Sequence, residues 1–268
     1  MPPVTVTVIT KNEAHCLADT LRSVSWADEL IVVDAESTDD TVAVARRFTD
    51  RVFVRPWNGY SEQKDHAASL AGNDWIFSLD ADEEVTPALA QQIRQTLAGE
   101  PDARGYRVLR LNFHLGRWIR TTDWYPDYQL RLYDRRTSHW NGRVVHESVT
   151  VQGPVKHLSG ELLHHPYRDL SEQLSKMDLY ATLSAEHMRR RGARATLTGL
   201  IAHPPLAFLR NYVLKRGFTD GKAGLIISLV NSYYVMLKHA KLWEMERSTS
   251  KKADRDPSAG MPSPPSRG

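Results

Sequence analysis

The chain has 268 residues, 41% of them hydrophobic, enough to bury one sizeable domain with a small appendage. That composition excludes a disordered chain and a multi-span membrane protein. The single cysteine, Cys16, excludes an internal disulfide framework and suits a reducing compartment. The net charge of +3 is mild, but from residue 189 to 222 eight Arg and Lys side chains face one acidic residue, Asp220. Such a stretch fits a solvated helical face or an attraction to nucleic acid or an anionic membrane. The opening Met1-Pro2-Pro3-Val4 lacks the charged and apolar regions of a signal peptide, so a cytoplasmic location is expected.

In chain order, Val4 to Ile9 is β-branched throughout and predicts a buried strand. Leu17, Leu21 and Val24 follow at helical spacing. Leu30 to Val33 predicts a second strand, and Val42, Ala45 and Phe48 begin a second helix. Arg51 to Arg55 alternates as a third strand. Ser61 is the expected cap of a helix to about Leu70, and Trp75 to Leu79 predicts a fourth strand. Thr86-Pro87 reads as a helix cap with proline at the first helical position. Strands and helices alternating in this way imply an α/β fold, a mostly parallel sheet covered by helices on both faces.

After Gly105 the alternation of Leu109, Leu111, Phe113 and Leu115 predicts antiparallel or mixed sheet added to that core, continuing through Val144-Val145 and Val149 to Val151. Asp169 to Arg191 is helical in pattern. Ala223 to Leu237 carries no charge but is shorter than the roughly 20 residues a membrane span requires, so it predicts a docked or interfacial helix. The expected division is a catalytic domain over 1–195, a basic, amphipathic helical segment over 196–247 and a disordered tail over 248–268.

In an open parallel sheet, ligands bind beyond the carboxyl ends of the strands. Three polar clusters fall there: Thr10-Lys11-Asn12-Glu13, Asp34 to Asp39, and Asp80-Ala81-Asp82-Glu83. Each alone reads as a turn with a helix cap; Thr38 or Asp39 is the expected cap of the second helix. Together they point to a site. A leaving diphosphate needs a divalent cation against its charge, and aspartate oxygens suit Mg²⁺ or Mn²⁺. Asp34 is placed to accept hydrogen bonds from a base or ribose. No glycine-rich phosphate loop is present, which argues against a dehydrogenase or an NTPase.

Thr-Lys-Asn-Glu, Val-Val-Asp-x-x-Ser-Thr-Asp and Trp-Ile-x-x-Leu-Asp-Ala-Asp-Glu, in this order, resemble family 2 glycosyltransferases with the Rossmann-like GT-A fold, over residues 4–165. Gln129-x-Arg131-Leu132-Tyr133, Val145-His146-Glu147, His164-His165-Pro166-Tyr167 and Asp220-Gly221-x-x-Gly224 are similar to the lipopolysaccharide-core β-1,4-glucosyltransferase branch. The resemblance implies that Asp34 contacts the base, Asp80 the ribose or metal shell, and that Asp82 is the main metal ligand. Thr10, Asn12 and Glu13 would line the nucleotide pocket. Lys64 would stand near the diphosphate, or else is a solvated helix charge. Where the family has Ser and Gly before Ser-Thr-Asp, this chain has Ala35-Glu36.

Inversion needs a base for the acceptor hydroxyl; Glu147 is the candidate and Asp127 the alternative. His164, ahead of His146, is a candidate to complete the metal shell. The resemblance implies UDP-glucose as donor, Mn²⁺ or Mg²⁺ as cofactor, and a lipid-linked saccharide such as lipopolysaccharide inner core as acceptor. The basic C-terminal stretch would give peripheral contact with the anionic inner face of the plasma membrane, and nucleic acid is not an expected partner. A sugar-1-phosphate nucleotidyltransferase is the rival enzyme, disfavoured because its glycine-rich basic loop is missing after the first strand. A non-catalytic scaffold binding saccharide or nucleic acid is the third reading, and the intact acidic clusters argue against it.

Overall fold

A computed structural model describes residues 2–142 and 148–253, with side chains to residue 248. The chain divides into two compact units, one of Met1–Arg120 with Trp124–Pro166, the other of Thr121–Asp123 with Tyr167–Gly268.

In the first unit, β1 (Val4–Thr10), β2 (Glu29–Asp34), β3 (Val52–Val54) and β4 (Trp75–Asp80) form a parallel array in the order β3-β2-β1-β4. Between them run α1 (Leu17–Ser23), α2 (Thr41–Ala45) and α3 (Tyr60–Ser69). The chain continues through β5 (Glu83–Val85), α4 (Pro87–Ala98), β6 (Gly105–His114), β7 (Arg117–Ile119), β8 (Asp127–Asp134), β9 (Ser138–Trp140), β10 (Val149–Val151) and β11 (Val155–His164). The sheet extends from β4 as β8-β6-β11-β5, and β7 pairs with β6. β8 is antiparallel to β4 and β6, and β11 is parallel to β6, so the sheet is mixed beyond the parallel core. β9 and β10 make a separate antiparallel pair.

The period of two in the strands sorts their side chains onto two faces. Val32, Phe77 and Leu79 meet Leu17 and Leu21 of α1 and Leu89, Ile93 and Leu97 of α4. Their neighbours Ile31, Val33 and Ile76 meet Ala67, Tyr133 and Trp140 on the other face. Each fully buried Leu or Ile contributes about 1.5–3 kcal/mol, which is why the hydrophobic pattern fixes the register.

One helix start differs from the sequence expectation. α3 begins one residue before Ser61, after Gly59 at φ 110°, and Ser61 is buried inside the helix. At α2 the capping acceptor is Asp39, whose Oδ1 takes the Thr41 N–H at 3.0 Å. Thr86 caps α4 as expected, accepting from Leu89 N–H at 3.3 Å.

The second unit is helical: α5 (Leu170–Arg190), α6 (Leu197–Ile201), α7 (His203–Leu209), a π-helical turn over Arg210–Leu214, a 3₁₀ turn over Gly217–Asp220, and α8 (Gly221–Ala253). Asp169 caps α5 by accepting from Glu172 N–H at 2.8 Å. α5 is tied to α8 by Lys241 with Asp178 at 2.8 Å and Ser184 with Tyr234 at 2.7 Å. It therefore packs with the helices after residue 195. Gly224 admits no side chain, because a Cβ there would lie 1.8 Å from the Gly217 carbonyl oxygen. No described helix is long and apolar enough to cross a membrane.

Candidate active site

The parallel register brings the strand ends level: Thr10 pairs with Asp34 and Ile9 with Asp80. At the first two ends the side chains hold the loops. The Asn12 N–H donates to Ser37 Oγ and its Oδ1 accepts from Thr38 N–H, both at 2.8 Å. Buried Asp34 accepts from the Ser37 N–H at 2.8 Å and its hydroxyl at 2.5 Å. Glu13 N–H donates to Thr41 Oγ1 at 2.8 Å. Thr10 Oγ1 is buried and has no hydrogen-bond partner among the described residues, an orphan that a ligand hydroxyl would satisfy. Asn12 and Glu36 both sit in left-handed backbone, at φ 56° and 54°. The turn with Glu36 in place of glycine therefore keeps the left-handed conformation, at a steric cost.

The third end is built differently. Asp80 is clasped by two cations, Lys64 Nζ at 2.9 Å from Oδ1 and Arg131 Nη2 at 2.6 Å from Oδ2. Lys64 is only 3% exposed and lies 4.8 Å from the Trp140 ring centroid, so it is no solvated helix charge. Arg131 also binds Glu83, which takes Arg110 at 3.1 Å; Arg110 in turn donates from Nε to Asp127 Oδ2 at 2.8 Å. Three acids and three bases thus alternate in one chain, whose fully buried member Glu83 is paired on both sides. Desolvation works against the ionised carboxyl of Asp80, but Arg131 and Lys64 outweigh it and hold it well below the usual carboxylate range. Asp80 and Glu83 in turn overcome burial to hold Arg131 firmly protonated.

Asp82 stands apart from this chain. The antiparallel pairing of β11 with β5 sets His164 opposite Glu83, and His165 N–H donates to the Asp82 carbonyl at 3.0 Å. His164 Nε2 then lies 3.4 Å from Asp82 Oδ2, while its Nδ1 is 2.5 Å from Asn112 Oδ1. Asn112 Nδ2 donates to the Trp124 carbonyl at 3.2 Å, which turns its oxygen toward the imidazole. With Nδ1 donating to Asn112, Nε2 faces the Asp82 carboxylate, where it can either donate an N–H to that carboxylate or offer a lone pair to a cation between them. A carboxylate and an imidazole oriented through its second nitrogen fit a divalent cation such as Mn²⁺. Below the turn, the buried Thr20 hydroxyl donates to the Ala81 carbonyl at 2.6 Å, bracing Asp80-Ala81-Asp82 on α1.

Glu13, His15 and Cys16 also bring three possible ligand atoms together. Burial and the neighbouring Glu13 push the Cys16 thiol up, keeping it protonated and a poor ligand.

Of the two candidate bases, Asp127 is described and Glu147 is not. Glu147, with Val144, Val145 and His146, lies outside the described residues. Asp127 accepts from Arg110 on Oδ2 at 2.8 Å and from Gln129 on Oδ1 at 2.5 Å. Arg131, Arg110 and Asn112 were missed as parts of the site by sequence reasoning, and Glu83 was given no role beyond membership of the third cluster. Arg131 had a signal, the Gln129-x-Arg131 motif; Asn112 had none, being one polar residue within an apolar strand.

A family model for glycosyl transferase family 2 matches residues 5–157. The chain belongs to this family. It is 30% identical over 249 residues to the lipopolysaccharide core biosynthesis glycosyltransferase LpsC of Rhizobium meliloti, covering 90% of this chain and 92% of that one. An uncharacterized glycosyltransferase of Rickettsia felis is 31% identical over 258 residues, covering 91% and 90%. Among solved structures, the mannosyltransferase PcManGT of Pyrobaculum calidifontis, crystallised with GDP-Man and Mn²⁺, is similar at a TM-score of 0.53 and 14% identity. That likeness covers 90% of this chain and 87% of PcManGT, and gives the GT-A fold as the architecture of the family 2 unit.

Proposed function

We propose that this family 2 glycosyltransferase is a metal-dependent, inverting hexosyltransferase. It moves a sugar, glucose first among candidates, from a UDP-sugar to a lipid-linked saccharide such as lipopolysaccharide inner core, at the inner face of the plasma membrane. The observation that carries the metal reading is Asp82 facing His164 Nε2 at 3.4 Å, with Nδ1 fixed by Asn112. The similarity to LpsC supports the acceptor class. The Mn²⁺ and GDP-Man bound by PcManGT support a divalent cation and a nucleotide-sugar donor.

In this reading Asp82 and His164 hold Mn²⁺ or Mg²⁺, which when bound offsets the charge growing on the leaving diphosphate. Asp80, fixed between Lys64 and Arg131, orients the ribose side of the donor, and Lys64 adds positive charge on the diphosphate side. Asp34, Thr10, Asn12 and Glu13 shape the nucleoside pocket. Glu147 or Asp127 takes the acceptor hydroxyl proton on the face opposite the leaving group.

The test is nucleoside diphosphate release from a panel of sugar nucleotides, with Mn²⁺ and with EDTA, for the parent and Asp82→Ala. Release from a UDP-hexose that stops with EDTA and with the substitution is expected. Turnover surviving both overturns the metal role, and pyrophosphate release from a nucleoside triphosphate and a sugar phosphate would establish the nucleotidyltransferase instead.

A further inference from the structure

In the second unit, α6 and α7 are almost continuous, since Ala202 ends one and starts the other with helical backbone at φ −90° and ψ −37°. Two rows of side chains therefore run along them at steps of four. One row is Gly199, His203, Ala207 and Asn211, and it faces α8. A Cβ on Gly199 would lie 2.7 Å from the His239 ring, His203 Nδ1 is 3.3 Å from His239 Nε2, and Asn211 accepts from Asn231 at 3.3 Å.

The other row is displaced by two residues, about 200° around the helix, and so points away from α8. It contains Leu197, Ile201 and Leu209, with Leu206 and Leu214 beside it. Leu197 is 71% exposed, Leu206 60% and Leu214 73%. Exposed leucines are unremarkable singly, but a contiguous row is a contact surface.

The occupant is set by what surrounds the row. Arg194, Lys215 and Arg216 flank the row in sequence and are exposed, as is Lys222 at the start of α8. The one acidic residue between 189 and 222, Asp220, is buried and accepts from Thr121 Oγ1 at 2.5 Å. A second copy of the chain on this face would bring like charges together across a two-fold axis. A nucleic acid would answer the cations but leave the leucines in contact with a polar backbone. An anionic bilayer answers both, its headgroups meeting the cations and its acyl boundary the leucines.

We propose that the Leu197–Leu214 face of α6, α7 and the π-helical turn is the membrane-docking surface. This rests on the lipid-linked acceptor reading, which it deepens by naming the surface. Ala223–Leu237 lies on α8, the helix against which the helices carrying this face pack.

The experiment is flotation of the full chain with vesicles of phosphatidylglycerol and phosphatidylcholine, and with phosphatidylcholine alone. The parent is compared with Leu206→Asp/Leu209→Asp and with Arg194→Glu/Lys215→Glu. The expected result is flotation on the anionic vesicles only, weakened by salt and reduced on the order of tenfold in either variant. Circular dichroism and UDP release from the donor in vesicle-free solution certify that the variants fold. Equal flotation of parent and both folded variants overturns the proposal, as does a parent that stays unbound or one that dimerises through this face. If the first variant misfolds, the charge variant decides alone, its surface cations lying outside the core. Absence of UDP release by the parent when a lipid-linked saccharide acceptor is also supplied would overturn the transferase reading instead, independently of flotation.

Discussion

His164 reaches Asp82 across 82 positions of sequence because β11 runs antiparallel beside β5, and Asn112 on the adjoining strand fixes the ring. The imidazole and the amide that orients it thus come from two different strands.

Removing the orienting partner tests this directly. Asn112→Ala frees the imidazole and should weaken Mn²⁺ affinity by about 10–100-fold. His164→Ala should weaken it at least as much. Titration of activity against Mn²⁺, with binding followed by electron paramagnetic resonance, reads both. Unchanged metal affinity in both variants would remove His164 from the shell.

The buried ion chain is expected to respond asymmetrically. Glu83→Gln leaves Arg131 and Arg110 facing a neutral group and should cost about 3–5 kcal/mol of stability, the range for breaking a buried pair. Chemical denaturation measures it. Arg22→Ala, on an exposed pair with Asp19, should change stability by no more than about 1 kcal/mol.

Glu36 offers a substitution in the opposite direction. Its left-handed backbone, φ 54°, costs an L-residue about 1–2 kcal/mol that glycine avoids. Against this stands glycine's greater freedom in the unfolded chain, worth about 0.4–1 kcal/mol. Glu36→Gly should therefore be neutral to stabilising by about 1 kcal/mol, read as a midpoint shift in thermal unfolding.

Acid should loosen the helical unit at the start of α5. Burial favours the neutral form of Glu172, but the Arg168 N–H and the Lys176 and Arg168 side chains outweigh it and draw its pKa down to about 2. The folded value lies below the unfolded one of about 4.3, so the contribution is full above the unfolded value. It is lost as pH falls from about 4.3 through about 2. Because the partners are well solvated it amounts to about 1 kcal/mol or less. Stability of Glu172→Gln should lose this part of the acid dependence, seen as a flatter denaturation midpoint below pH of about 4.

The sequence by itself determined the parallel half of the sheet and the three strand-end clusters. Alternation in Ile31-Val32-Val33 and Ile76-Phe77 is local, and so is the capping of α4 by Thr86. Asp34, Asp80 and Asp82 were legible because a polar residue right after a buried strand has one place to go. Pairings between distant strands carry no such local mark. Only tertiary structure decided that Asp80 belongs to Lys64 and Arg131 while Asp82 faces His164, since those contacts depend on strand order and register beyond β4. The leucines of α6 and α7 show the same limit. Their spacing marks a helix, but which face meets α8 and which meets solvent is fixed by the close approach at Gly199.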